Sequence, residues 1–174
     1  MIGELEKTML TNIEFTGPLR LHNFRTTNNV KGEEEELSAY LKMRGLMPCT
    51  LYSRLCGLDM QDESWHQFFW GQDEAPANPS MDQIKFLAQA PEHIIVFSSG
   101  LGFTDENCTL RKFSLRPAFG KQFQTEFEIV LHPHTNANIG KLAHKQGHEL
   151  EIEIKGCRNP DLFREEEEGE PGSE

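Results

Sequence analysis

The chain has 174 residues and a formal net charge of −11, from 17 Lys and Arg against 28 Asp and Glu. Its 37% apolar content excludes a transmembrane protein, a collagen-like fibre and a disulfide-dense miniprotein. Twelve Phe residues supply the apolar area for a packed core, which a fully disordered chain lacks.

The N-terminal part of the chain begins with two short alternating stretches. Within residues 11–26, apolar and polar residues alternate on both sides of Gly17-Pro18, which predicts a β-hairpin or, alternatively, one bent strand. Residues 33–45 are interpreted as a helix, because acids fill the first turn and Lys42 and Arg44 lie near the end. Gly45 would end that helix.

The next segments extend this predicted helical part of the chain. Helical spacing of apolar residues, or residues that cap and end a helix, is found in 49–60, 62–71 and 81–90. Together with residues 33–45 they predict a helical middle segment over about residues 33–90.

After Pro91 the apolar period changes from 3.6 to 2. This predicts strands at 93–99, 109–117, 121–132 and 149–155, and a short helix at 137–146 in between. Because helices and strands are segregated, the expected fold class is α+β with an antiparallel sheet. The N-terminal hairpin and the C-terminal strands would form that sheet.

The domain map follows from composition. Residues 1–162 are predicted to form a single α+β domain, and residues 163–174 a disordered acidic tail with six Glu and little to bury. The N-terminus has no signal-peptide pattern, and the four Cys residues form no Cys-x-x-Cys pair. A cytoplasmic location with free thiols is therefore expected.

Aromatic residues crowd the predicted helix at 62–71. Trp65, His66, Phe69 and Trp70 cannot all face one core, since helical spacing puts His66 and Trp70 across from the other two. An exposed Trp is a common anchor in protein interfaces, so these four are the candidate partner-binding residues. The alternative is that a neighbouring element covers them.

Basic and aromatic residues alternate around the predicted hairpin at 109–132. Arg111, Lys112, Phe113, Arg116 and Lys121 resemble, in a sparse form, the cationic and stacking residues by which sheet surfaces bind single-stranded nucleic acid. The alternative is a core Phe with charges along a solvated edge, where they prevent edge-to-edge pairing.

Four histidines lie close together in sequence, at His132, His134, His144 and His148. If the two pairs converge, their imidazole nitrogens suit Zn or Ni, which would support a metal-dependent hydrolase. Pro133 and Gly147 interrupt the regular geometry of each pair, so a polar loop near a sheet end is the alternative.

No catalytic sequence signature is present: neither Gly-x-Ser-x-Gly nor a phosphate-binding glycine loop occurs. We therefore expect a non-enzymatic binding protein that contacts another protein, including by occupying a basic surface of that partner. A nucleic-acid-associated accessory protein is the first alternative and the metal-dependent hydrolase the second. No cofactor other than that Zn or Ni, and no membrane partner, is expected.

Overall fold

The computed structural model describes residues 11–31, 34–58, 63–98, 101–131 and 136–156. These residues form seven β-strands and three short helices. In chain order the elements are β1 (Phe15–Lys31), β2 (Glu34–Pro48), α1 (Thr50–Cys56), α2 (His66–Phe69), β3 (Ile84–Phe86), β4 (Ala90–Phe97), β5 (Phe103–Ala118), β6 (Gln122–Leu131), α3 (Asn136–Ala143) and β7 (Glu149–Lys155).

The strands form one antiparallel sheet that closes on itself. Around the ring the order is β1, β2, β6, β5, β4 and β7, and β7 pairs with β1 to complete it. β3 pairs with β5 beyond the end of its pairing with β4, with Phe86 opposite Phe113. β3 and β4 therefore pair with two successive parts of the same edge of β5.

The core fills the inside of this ring. Side chains alternate along each strand between the inside and the outside, as the strand period of two requires. In β6 the inward set is Phe123, Thr125, Phe127, Ile129 and Leu131, all buried. Burying a Phe or Leu side chain stabilises a fold by about 1.5–3 kcal/mol, so this inner surface is the main source of stability.

Helices lie at both ends of the ring. α1 follows Pro48, which pairs with Gln122 at one end of β6, whereas α3 follows Leu131 at the other end. α1 and α2 contribute Leu51, Leu55 and Phe69 to the core, and α3 contributes Leu142.

The predicted α+β class is wrong, because the helical middle over residues 33–90 does not form. Residues 34–48 are strand β2, paired with β1 on one edge and with β6 on the other. The acid-to-base charge gradient suits a helix dipole, but the same segment also places Ala39, Leu41 and Met43 on one face of a strand, and all three are buried. Pairing on both edges outweighs the local helix signals.

Two further local predictions are also corrected. The N-terminal hairpin does not form: the segment is a single strand, β1, as in the alternative prediction, and it pairs with β7 at Gly17-Pro18. The segment 81–90, which was predicted to be a helix, instead contains strand β3 and the start of β4. The antiparallel pairing is confirmed, and β4 to β7 overlap the four predicted C-terminal strands.

Two predictions concern membranes and the tail. Within the described ranges, no helix combines the length and apolar character that crossing a membrane requires. The predicted tail at 163–174 lies outside the described residues.

Candidate nucleic-acid interface

The outer face of β1, β2, β6 and β5 collects basic side chains from distant parts of the sequence. The register places Arg20 beside Arg44, and Lys42 beside Glu128, which in turn lies beside Arg111. We define the cationic face by its ion-paired residues: Arg25, Lys42, Arg44, Arg111, Lys112, Glu126 and Glu128. Its net charge is +3, in a chain whose net charge is −11.

The two carboxylates of the cationic face lie beneath its cations. The side chains of Glu126 and Glu128 are 22% and 12% exposed, whereas the five cationic side chains are 31% to 64% exposed. Glu128 contacts Arg111 at 2.8 Å, Arg25 at 3.6 Å and Lys112 at 3.8 Å. An approaching ligand therefore meets positive charge first.

Glu126 connects two basic residues of the neighbouring strand. Its Oε1 lies 2.9 Å from Lys42 Nζ, and its Oε2 accepts a hydrogen bond from Arg44 Nε. Burial acts to raise the pKa of this carboxyl, but the hydrogen bonds and charges of Lys42 and Arg44 outweigh burial and lower it. Glu126 is therefore held in its charged form and orients both cations.

An aromatic ring lies within the cationic face. The Arg25 guanidinium carbon is 4.2 Å from the centre of the Tyr40 ring, and that of Arg111 is 5.5 Å away. Cations over a ring face are attracted by its quadrupole. Tyr40 is half-buried, so part of the ring and the two guanidinium planes remain accessible.

A bulge in β5 sets the position of Lys112. Arg111 and Ser114 of β5 lie opposite Glu128 and Glu126 of β6, so β5 has one extra residue at this point. Lys112 has a φ of 57°, in the left-handed region, as is found at β-bulges. The bulge keeps Arg111 and Ser114 on the outer face, turns Phe113 inward and projects Lys112 outward.

Two cavities adjoin the cationic face on opposite sides of the row formed by Lys42 and Arg44. The lysine pocket, of about 450 Å³, is lined by Lys42, Lys85 and Lys112 among others. The arginine cavity, of about 740 Å³, is lined by Arg20, His22 and Arg44, with Glu149. Glu126 thus links the two cavities, because it pairs with Lys42 of one lining and with Arg44 of the other.

The nucleic-acid-binding residues predicted from the sequence are only partly brought together. Arg111 and Lys112 lie on the cationic face, Arg116 is exposed further along β5, and Lys121 is exposed in the turn before β6. The prediction for Phe113 is wrong. Its side chain is buried inside the ring and stacks on Phe127 with centroids 5.5 Å apart, so it cannot stack on a base.

The partner-binding residues predicted from the sequence lie mainly in the core. Phe69 and Trp70 are 1% and 4% exposed, and Trp70 Nε1 donates a hydrogen bond to the Ala118 carbonyl at 2.7 Å. The prediction that Trp70 is an exposed anchor is therefore wrong. Trp65 and His66 are half-buried, and the exposed ring of the segment is Phe68, at 66%.

The predicted metal site is only partly described. His132 and His134 lie outside the described residues, while His144 and His148 are exposed near the start of β7. Within the described part of the chain, no three His, Cys, Asp or Glu residues are arranged to hold a metal ion.

Sequence reasoning missed Arg25, Tyr40, Lys42 and Arg44 as members of the site. The available signal was the period of two in Tyr40, Lys42 and Arg44, which puts all three on one side of a strand.

Comparisons with protein-family models, with curated proteins and with solved structures find no match to this chain.

Proposed function

We propose that this protein is a non-catalytic nucleic-acid-binding protein and that the cationic face is its interface. The observation that carries the proposal is the arrangement of charge: five exposed cations lie over two largely covered carboxylates. Exposed ion pairs contribute only about 0–1 kcal/mol to stability, so fold stability alone gives little reason for the arrangement. Binding of a polyanion does give a reason for this arrangement.

Three features favour a single strand of nucleic acid over an acidic protein surface. The basic residues extend as a track from the arginine cavity to the lysine pocket, which suits regularly spaced phosphates. Tyr40 and the guanidinium groups beside it offer flat surfaces for stacking of unpaired bases. The five cationic side chains of the face are 31% to 64% exposed, so a flexible ligand can contact several of them at once.

The test is binding of a labelled single-stranded oligonucleotide, followed by fluorescence anisotropy at increasing salt. Affinity should fall with salt, and the five cations of the cationic face should together contribute up to about 3.5 to the log–log slope, because each contributes about 0.7 per phosphate contact. The double variant Lys42→Gln/Lys112→Gln should lose about 1.4 of that slope. The matched control, Lys141→Gln/Lys155→Gln, removes the same charge from exposed positions in α3 and β7.

Three outcomes contradict the proposal. No binding to any oligonucleotide at low salt rules it out, and so does an equal loss of affinity in the double variant and its control. Displacement of the oligonucleotide by polyglutamate at equal charge concentration would instead indicate an acidic protein as the partner.

Protein contact through the segment at 65–70 is the second candidate function. It is favoured by Phe68, whose ring is 66% exposed and lies 5.0 Å from that of the buried Phe69. A rigid exposed aromatic next to a packed cluster is typical of interface anchors. Pull-down from the native host with and without nuclease, comparing wild type with Phe68→Ala, separates this candidate from the first.

A further inference from the structure

The lysine pocket combines features that the cationic face alone does not have. It lies between β2, β3, β6 and the bulge of β5, and its volume is about 450 Å³. β3 contributes to this pocket but contains none of the residues that define the cationic face. The pocket shares Lys42 and Lys112 with the cationic face and adds Lys85 of β3 to them.

Three ammonium groups from three different strands line the pocket. Lys42 Nζ is 2.9 Å from Glu126, and Lys112 Nζ is 3.8 Å from Glu128. Lys85 has no carboxylate within 4 Å among the residues the structure describes. Because Glu126 and Glu128 also pair with arginines of the cationic face, the positive charge of the pocket is not neutralised. This favours an anionic group.

Apolar residues also line the pocket. Leu87 lines it with a side chain that is 73% exposed, next to the half-buried Phe86. A large aliphatic side chain left in water beside a cavity is suited to contact a flat apolar group. A ligand for this pocket therefore carries an anion at one end and a ring system at the other.

Two hydrogen-bonding side chains, Gln83 and Ser114, are also part of the pocket lining. Ser114 donates its hydroxyl hydrogen to Gln83 Oε1 at 3.0 Å, which directs the two N–H donors of the Gln83 amide elsewhere. Both residues line the pocket. Amide donors next to an apolar surface can pair with the edge of a nucleobase.

We propose that the lysine pocket binds one nucleotide unit, with the phosphate among Lys42, Lys85 and Lys112 and the base against Leu87. This inference rests on the proposed function, since the nucleotide would be one unit of the bound strand. A free nucleotide has the same chemistry, and the experiment distinguishes the two sources.

The experiment follows backbone amide chemical shifts of the full chain during titration. The probes are a nucleoside 5′-monophosphate, the same nucleoside without phosphate, and inorganic phosphate. The mononucleotide should shift the amides of Lys85, Leu87 and Ser114 and leave that of Lys141 in α3 unchanged. The other two probes should cause smaller shifts at the same amides, because each provides only half of the contacts.

Variants then link the pocket to strand binding. Lys85→Gln should abolish the mononucleotide shifts and lower the salt slope of oligonucleotide binding by about 0.7, whereas Lys141→Gln should do neither. Leu87→Ala should weaken mononucleotide binding while leaving inorganic phosphate binding unchanged. A mononucleotide that binds more tightly than a short oligonucleotide would assign the pocket to a free nucleotide rather than to a strand unit.

The failure of this inference differs from failure of the proposed function. Oligonucleotides could bind while Lys85→Gln leaves the salt slope unchanged and the mononucleotide shifts no pocket amide. In that case the pocket assignment is wrong, and the proposal that the cationic face binds nucleic acid is retained. If inorganic phosphate shifts the pocket amides as strongly as the mononucleotide, there is no base contact. If no oligonucleotide binds at all, the proposed function itself fails.

Discussion

The backbone N–H of Ile13 donates a hydrogen bond to Nε2 of His93, 80 residues further along the chain, at 2.9 Å. The imidazole is fully buried. Its Nδ1 lies 2.9 Å from the Pro91 carbonyl, which can only accept, so the hydrogen is on Nδ1 and Nε2 is the acceptor. The neutral imidazole thus joins the segment before β1 to β4.

This contact predicts that acid destabilises the fold. Burial lowers the pKa of His93 below its usual value of about 6.5, despite the nearby negative charge of Glu14. A lowered pKa in the folded state means that the stabilisation is complete above about pH 6.5 and is lost as pH falls below it. The loss for one such group is at most about 1.4 kcal/mol per pH unit. Urea unfolding between pH 8 and pH 5 measures it.

The control for this prediction is His93→Gln. The Gln amide keeps an acceptor for Ile13 and a donor for Pro91 but does not titrate in this range. The variant should therefore show a smaller fall in unfolding free energy below pH 6.5 than the wild type. Parallel pH profiles for the two proteins would show that other groups cause the acid sensitivity.

Trp70 and Phe68 should respond in opposite ways to truncation. Trp70→Ala removes a buried indole whose ring centre is 5.0 Å from that of Phe123, and it should destabilise the fold by about 3–5 kcal/mol. Phe68→Ala removes an exposed ring and should change stability by less than about 0.5 kcal/mol. Thermal unfolding of both variants is the measurement. Similar melting temperatures for the two would contradict the burial of Trp70 and the exposure of Phe68.

Gly45 of β2 should not tolerate a side chain. A Cβ there would overlap Leu19 Cδ2 and lie 3.2 Å from the Pro18 carbonyl oxygen of the adjacent strand. Gly45→Ala should therefore destabilise the fold by about 1–3 kcal/mol, the usual cost of overpacking. The matched control is Gly140→Ala in α3, where a Cβ meets no atom within 4 Å and should stabilise by about 0.5–1 kcal/mol. Equal unfolding free energies for the two variants would show that β1 and β2 can separate to make room.

Neutralising Glu126 should strengthen nucleic-acid binding. Glu126→Gln removes one of the two carboxylates and raises the net charge of the cationic face to +4. The affinity for a single-stranded oligonucleotide should rise severalfold at low salt, while stability falls by about 1 kcal/mol or less. Glu63→Gln, at an exposed position beside α2, is the control for overall charge. A lower affinity for Glu126→Gln would mean that orientation of Lys42 and Arg44 matters more than charge.

Strands β4 to β7, at the C-terminal end of the described chain, were the part of the fold that could be predicted from the sequence. In β6, the alternation of Phe123, Phe127 and Ile129 with Gln and Glu is the observed division between the inside and the outside. Residues 33–45 were predicted as a helix because their charge gradient and Gly45 are typical of one. The deciding contributions are ladders to β1 and β6, and no local pattern encodes such long-range pairing.

The candidate site was predictable only where one strand carries it. Arg111 and Lys112 were identified because they are adjacent in sequence to each other and to aromatic residues. Arg25 and Lys42 were not, because they join the cationic face through the register of three strand pairs, which sequence alone does not determine. Phe113 was misassigned because the bulge at Lys112 reverses which residues face inward.

The position of β7 has a consequence for how the chain acquires its structure during synthesis. β7 lies between β1 and β4, so the ring cannot close until the last described strand has left the ribosome. Until then β1 and β4 each present an unpaired edge to solvent or to a chaperone. Pairing between such distant segments also gives a high contact order, which is associated with slow folding. A nascent chain stalled before residue 149 should therefore remain sensitive to protease, and sensitivity should be lost only once β7 has emerged.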